Sequence, residues 1–454
     1  MRHSFVTLFL GAALSGCTIP VPAVDPQKTI AAAIPAAGAI EFRTEGGPID
    51  EGLADPAALT LPEAIRRALQ TGPELQAALA RVATARAEAA EAGMPPDPVL
   101  DVVLRFPASG GPLKVDAGLA TGIVSLLRTP RLASAAHNRL RAEASRALTT
   151  ALDVLLDVQT HYTAVQALEA FRVVLDERRA IVERQHEVAV ARLGAGEGTR
   201  TDVVALQADR LSLEIETTER LGELRQERLA LARLIGEPSS AAAWSVDPLA
   251  PPASDIGAEA DWIAAALRSR PEIQVVEWEL LAVGDDLALA SGSPFESATL
   301  GIEAEKDGEW SVGPGLSTPL PLFGRSQARQ DAALGRQLEG RHRLTTVQRS
   351  TVEEVRSALA VLQLSAGNLD RLRAELIPLL QQRRADVQRA FDERELDVTA
   401  LLVVDQALLE SRTRLIDLER QTAMATFRLQ RAVGGPADFD RTRGTARTGE
   451  PDHE

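Results

Sequence analysis

The chain states its main pattern twice. "ALQTGPELQ" at 68–76 returns as "ALRSRPEIQ" at 266–274, and "LARLIGEP", ending at Pro238, returns as "LQRAVGGP", ending at Pro436. Both pairs lie 198 residues apart. Two distant anchors with one offset indicate a duplicated unit of about 175 residues. The copies occupy 59–238 and 259–436, joined by a Pro-, Ser- and Ala-rich linker at 239–258. Whatever one copy folds into, the other must fold into as well.

Each copy reads in the same order. A first helix is expected at roughly 61–93 and 259–291, with Pro62 just inside the start. "GMPPDP" (93–98) and "SGSP" (291–294) end these helices. A hairpin follows at about 98–123 and about 297–320. Leu100, Val102, Leu104 and Phe106 alternate with Val99, Asp101, Val103 and Arg105. On the return, Leu113, Val115, Ala117 and Leu119 alternate with Lys114, Asp116, Gly118 and Ala120. In the second copy Leu300, Ile302 and Ala304 alternate with Thr299, Gly301, Glu303 and Glu305; "KDGE" (306–309) turns, and Trp310 and Val312 open the return strand. Period two with one wet and one greasy face describes either surface hairpins on a soluble domain or strands that face lipid.

Helical periodicity then takes over, at roughly 131–193 and 325–391. About 63 residues span about 95 Å, far longer than a globular helix. Pro378 should kink the second of these near mid-length. Shorter helices follow at 199–236 and 397–433. In the second, Leu401, Val404, Leu408, Ser411, Leu415, Leu418, Thr422, Ala425, Leu429 and Ala432 recur at spacings of three and four, a coiled-coil seam. The first copy keeps Val203, Leu206, Leu213, Leu224, Leu231 and Leu234, interrupted by Arg210 and Arg220. The joint "RLGAGEGTRTD" (192–202) holds three glycines; its counterpart "RAFDERELD" (389–397) holds none, so the first turn is expected to be the tighter.

The ends carry different information. Cys17 is the single cysteine, so no internal disulfide is possible. It follows a basic start, an apolar run from Phe5 to Leu14 and the tripeptide Leu14-Ser15-Gly16. Residues 1–16 read as a signal peptide, either of the lipoprotein type that leaves a lipid on Cys17 or an ordinary one. Residues 17–58 read as an extended arm and 437–454 as a flexible tail. No later stretch offers 18 continuous apolar residues, so a membrane crossing would have to be a closed β-barrel. The formal net charge of −15 argues against nucleic acid as a partner. It fits a solvated surface or an acidic lumen.

The order helix, hairpin, long helix, turn, helix, given twice behind a lipobox, resembles the outer membrane factor family of TolC-like efflux proteins. "TLPEAIRRALQTGPEL" is similar to the family's opening helix, and "GEGTRTDVVALQADRL" (196–211) to its signature after the long helix. "LPLFGRSQARQDAA" (320–333) resembles the form common in the heavy-metal efflux branch, and "ELIPLLQQ" the Pro-bearing second long helix. The resemblance implies a mainly α fold with a membrane β-barrel: a homotrimer with a twelve-stranded barrel and an α-helical periplasmic tunnel. It implies a periplasmic adaptor, an inner-membrane pump of the resistance-nodulation-division type, and an outer membrane location with a lipid on Cys17 and no other cofactor. Thr18 after the cysteine fits outer membrane sorting.

The same resemblance places a periplasmic aperture at the helix joints. Gly196, Gly198 and Thr201 match the turn signature, and Asp202 matches the constriction carboxylate; helix capping is the other role open to Asp202. The second copy departs from the family pattern at Phe391, Arg394, Leu396, Ala400 and Val403, leaving Asp397 and Asp405 as its nearest carboxylates.

Catalysis is not expected. No phosphate-binding glycine loop, His-Glu-x-x-His or Gly-x-Ser-x-Gly pattern occurs, and His137, His161, His186 and His342 have no partner at ligand spacing. Two other readings stay open. One is a periplasmic coiled-coil scaffold lipoprotein. The other is a duct for drugs or for type I secretion; the "LPLFGR" segment favours metal cations.

Overall fold

The computed structural model describes residues 18–52, 57–106, 113–249, 257–292, 297–307, 309–319, 325–393, 395–396 and 398–448. Cys17 and Asp397 lie outside these residues, as do the signal peptide and Arg394. The chain divides into two compact units. One comprises 1–26, 77–148 and 271–348; the other comprises 27–76, 149–270 and 349–454.

The first unit holds a four-stranded antiparallel sheet of β2 (Val99–Arg105), β3 (Lys114–Gly122), β5 (Thr299–Asp307) and β6 (Glu309–Ser317). The two hairpins of the repeat sit side by side in the order β2-β3-β5-β6. The register puts Leu100, Leu119, Ile302 and Pro314 in one cross-strand row, and Val102, Ala117, Ala304 and Val312 in the next. The predicted alternation is thus kept across all four strands.

Each expected first helix is in fact two. Helices α2 (Leu61–Thr71) and α3 (Pro73–Ala92) break at Gly72; α6 (Glu259–Ser269) and α7 (Pro271–Ser291) break at Arg270. Gly72 (ψ 116°) and Arg270 (ψ 122°) have left the helical region. A following proline clashes with a helical predecessor and offers no N–H, so Pro73 and Pro271 each start a new helix. This is what the repeated "GPELQ" and "RPEIQ" encode. Arg270 is buried at its break and donates to Glu354.

β3 runs without a loop into α4 (Ile123–Gly194), a single helix of 72 residues. The second copy's long helix is α8 (Arg325–Arg371), a π-turn (Leu372–Leu376) and α9 (Ile377–Asp392). Pro378 therefore marks an interruption, but well past mid-length. The wider π-turn absorbs the missing donor, so the helix continues through it. α5 (Arg200–Leu234) and α10 (Val398–Ala432) return antiparallel.

In the second unit the α10 stripe is buried from Val404 to Ala432, with Leu415 partly exposed. Leu429, Ala425 and Ala432 pack on Trp262 of α6 and on Val355, Leu359 and Leu362 of α8. On α5, Leu213, Leu224, Leu231 and Leu234 are buried. The two arginines in that stripe are accommodated by their charged ends: the Arg220 guanidinium lies over the Phe171 ring at 5.4 Å and pairs with Glu223 at 2.9 Å, and Arg210 faces Glu183 at 3.8 Å.

Two segments expected to be irregular are ordered. The arm forms α1 (Pro26–Ala33) and a 3-10 turn, and it buries Ile30, Ile34 and Ala37. The tail forms α11 (Pro436–Thr448), whose Phe439 stacks on Trp262 at 5.0 Å. A single aromatic anchor of this kind adds about 0.5–1.5 kcal/mol beyond its burial. The polar composition around Phe439 conceals it.

A short parallel pair, β1 (Ala58–Leu59) and β4 (Ser245–Val246), ties the linker to the first repeat. Tyr162, the chain's single tyrosine, holds it to α4: its buried hydroxyl donates to Leu59 O at 2.8 Å and accepts from Asp247 N at 3.2 Å. Burial raises its pKa to about 12. Tyr162→Phe leaves both groups unpaired. Thermal denaturation of the detergent-solubilised protein should show a loss of about 1–3 kcal/mol; wild-type stability would contradict this role.

Candidate channel wall and helix joints

The sheet has two chemically opposite faces and two open edges. On one face Leu100 (68% exposed), Val102, Leu104, Leu119, Ile302, Val312 and Leu316 stand free of any packing partner layer. On the other stand Asp101, Arg105, Lys114, Asp116, Glu303 and Glu305, and Arg105 pairs with Asp116 at 2.7 Å. A water-soluble protein buries the greasy face of a sheet; this one displays it. Among the described residues β2 and β6 have neighbours on one side only, so each carries a row of backbone groups without a strand partner there. Among the described residues no helix is long and apolar enough to cross a membrane.

The polar face is not heavily filled. Gly313 and Gly315 on β6 take positions where side chains would stand, and a Cβ at Gly315 would meet Glu303 Oε1 at 2.5 Å. Glu303 therefore lies across the space that Gly315 leaves open.

The helix joints are in the second unit. At the first, Glu197 N and Gly198 N donate to Arg192 O at 2.9 and 3.1 Å. Gly196 adopts φ +79°, a region that favours glycine, and a Cβ on Gly198 would come within 3.1 Å of Arg192 Cβ. Thr199 caps α5. Its hydroxyl accepts from Asp202 N at 3.2 Å, and the Asp202 carboxylate accepts from Thr199 N at 3.1 Å and Thr199 Oγ1 at 2.7 Å. This capping box is reciprocal, with Asp in the place usual for Glu. Thr201 is exposed in the first turn. The Thr199 hydrogen bonds hold the Asp202 carboxyl below its ordinary pKa.

The second joint has the same backbone pattern at the same 198-residue offset: Glu395 N and Leu396 N donate to Ala390 O at 2.8 and 3.3 Å. The turn is thus no looser for lacking glycines. Beyond it, Asp405 is buried in the α9–α10 seam and accepts from Arg384 Nε at 2.5 Å. The partner of Asp405 could have been read from the sequence. Arg384 and Asp405 stand equally far from the turn, as antiparallel neighbours in a helical hairpin must. No side chain of α9 is buried, so this pair and Arg373–Glu419 are prominent links between α9 with its π-turn and α10.

Among the described residues the histidines join no cluster of potential ligands. His161 Nδ1 meets Glu227 at 2.6 Å across α4 and α5, and no group of three ligating residues exists among the described residues.

A depressed carboxyl pKa adds stability above the ordinary carboxylate range that is lost as pH falls through the lowered value. Amide exchange over residues 200–204 should therefore stay protected from neutral pH to below that range in the wild type. In Thr199→Ala and Asp202→Ala the protection should drop at neutral pH already. Unchanged protection in both variants would contradict the capping role.

Comparison with known proteins agrees with this geometry. Residues 262–435 match the family described as outer membrane efflux protein. The chain is 27% identical over 429 residues to the pyoverdine export outer membrane protein OpmQ of Pseudomonas aeruginosa, covering 84% of this chain and 86% of that protein. Among solved structures, the outer membrane protein VceC of Vibrio cholerae superposes with a TM-score of 0.71 at 18% identity, covering 83% of this chain and 96% of VceC. CusC does so with a TM-score of 0.68 at 18% identity, covering 88% and 99%. The fold is that of these channels, and the family is one of channels, not enzymes. The matched segment is the second repeat, and the first repeat is its copy at a fixed offset.

Proposed function

We propose that the chain is the outer membrane channel of a tripartite efflux system. Three copies, each supplying the four strands of its sheet, close a twelve-stranded barrel, and their long helices line a periplasmic tunnel. The observation that carries this reading is the exposed greasy face bounded by two unpaired edges. Hydrocarbon is the one solvent in which that face is favourable, and closure on further copies is the one way its edges can enter hydrocarbon.

Transport through such a duct is passive. An inner-membrane pump of the resistance-nodulation-division type supplies substrate and energy, and a periplasmic adaptor docks on the helix joints. Asp202, Asp397 and Asp405 are the candidate aperture carboxylates. In this reading Asp405 acts through Arg384, holding α9 against α10 at the joint. Cys17 carries the lipid. The arm supports this: Ile19 N donates to Gly93 O at 3.1 Å, so the chain just after Cys17 is held six residues before β2 begins. An acyl chain there would enter the membrane at the level where the strands end.

Metal cations are the substrate that the "LPLFGRSQARQDAA" segment supports. The likeness to a pyoverdine exporter favours a second reading, a small organic molecule. Deletion in the native host, in a background lacking other outer membrane channels, separates them. The metal reading predicts reduced tolerance to copper, zinc, cobalt, nickel or cadmium salts, with tolerance to dyes, detergents and antibiotics kept. Loss confined to organic compounds, or loss of a secreted chelator, transfers the assignment to the second reading. Unchanged tolerance and secretion would contradict an export role.

A further inference from the structure

The junction between β3 and α4 carries chemistry that neither the wall nor the joints use. The last greasy row of the sheet at this end is Thr121, Leu300 and Leu316. α4 starts two residues after Thr121, yet its first turns stay greasy on the outside: Leu127 is 77% exposed, and Leu126 and Leu132 are exposed too. Arg128 and Arg131 stand between them. Arg131 is 59% exposed, and its carboxylate neighbour Asp285 is 4.0 Å away. Arg128 reaches Leu289 O at 3.4 Å. No acidic residue occupies the first turn, although the amino end of a helix dipole favours one.

Distance places these side chains at the membrane surface. Leu127 is about 8 Å and Arg131 about 14 Å along the helix from the end of the strand. The headgroup layer outside the hydrocarbon core is about 6 Å deep. Helical side chains lean toward their own amino end, which for α4 is the sheet, and an arginine stem carries its charge further that way. Leu126 and Leu127 then lie within the headgroup layer on the acyl side, and the guanidiniums reach the phosphate level. The sequence repeats the pattern at the second junction, where the apolar "LPLF" is followed by Arg325 and Arg329.

We propose that this junction is an interfacial collar that binds anionic glycerophospholipid of the periplasmic leaflet. Leu126 and Leu127 face the acyl chains, and Arg128 and Arg131 pair with the phosphate. The surface continues the greasy face of the sheet, and its charge complements a phosphodiester. The assignment rests on the membrane-channel reading above.

The test is lipid retention by the full-length protein. Protein reconstituted into equimolar phosphatidylglycerol and phosphatidylcholine vesicles is re-extracted, and its retained lipid is measured by mass spectrometry. Wild type should retain phosphatidylglycerol in severalfold excess. Arg128→Gln with Arg131→Gln should return the ratio to that supplied, and Arg128→Lys with Arg131→Lys should keep most of the excess. Leu127→Ser should lower total retained lipid with the ratio unchanged. An equimolar ratio in wild type, or an undiminished excess in the glutamine variant, overturns the collar and leaves the leucines to packing between copies. Displacement of the bound lipid by millimolar inorganic phosphate would point to a free-anion site and also overturn it. Failure to enter vesicles at all would defeat the channel reading itself, a result distinct from insertion without lipid preference.

Discussion

The hydrogen-bond demand of the two edge strands is the constraint on which the rest depends. Each chain makes a sheet of four strands, greasy on one face, with β2 and β6 unpaired outward. In water that face is a liability; in lipid those edges are. Both problems are solved together when the edges of neighbouring copies pair. The duplication follows from the same demand. One repeat supplies one hairpin, which is marginal alone, and two repeats give a sheet broad enough to close with few copies.

The helices answer a different need, which is reach. α4 is held along its course by neighbours rather than by one compact core. Near the sheet, Arg139 pairs with Asp286 at 2.5 Å and Arg343 with Glu279 at 2.9 Å, while Arg141 covers Trp278. In the other unit Leu175 and Val182 of α4 pack with Leu213 of α5, and Asp153 and Glu177 pair with Arg431 and Arg412 of α10. Between Val182 and Leu213 in the first hairpin, and between Leu372 and Val404 in the second, no described side chain is buried, so both hairpin ends are held by turns and ion pairs rather than by a core.

Much of this was legible in the residues. Alternation at period two gave both hairpins their faces, and the spacing of Val404, Leu408, Leu418 and Leu429 gave the buried stripe. The breaks at Gly72 and Arg270 were equally legible, because a residue before proline leaves the helix; a strong helical period on both sides masked them. The order of the arm and tail was not legible. Ile30, Ile34 and Phe439 are buried in the fold, and the value of Phe439 lies in Trp262, 177 residues away. The helix joints show both outcomes. Asp202 has the local geometry of a cap, which its spacing from Thr199 implies. The burial of Asp405 required the register between two helices, although equal distance from the turn supplies it.

The central claim is that β6 of one copy pairs with β2 of the next. Disulfide scanning in native membranes tests it directly, with cysteines placed in turn at Leu100, Val102 and Leu104 on β2 and at Val312 and Leu316 on β6. The account predicts that at least one pairing yields covalently linked trimers on oxidation, with the greasy-face positions shielded from a water-soluble thiol reagent. Monomers throughout, with the same positions freely labelled, would contradict it and return the chain to a lipid-anchored periplasmic scaffold.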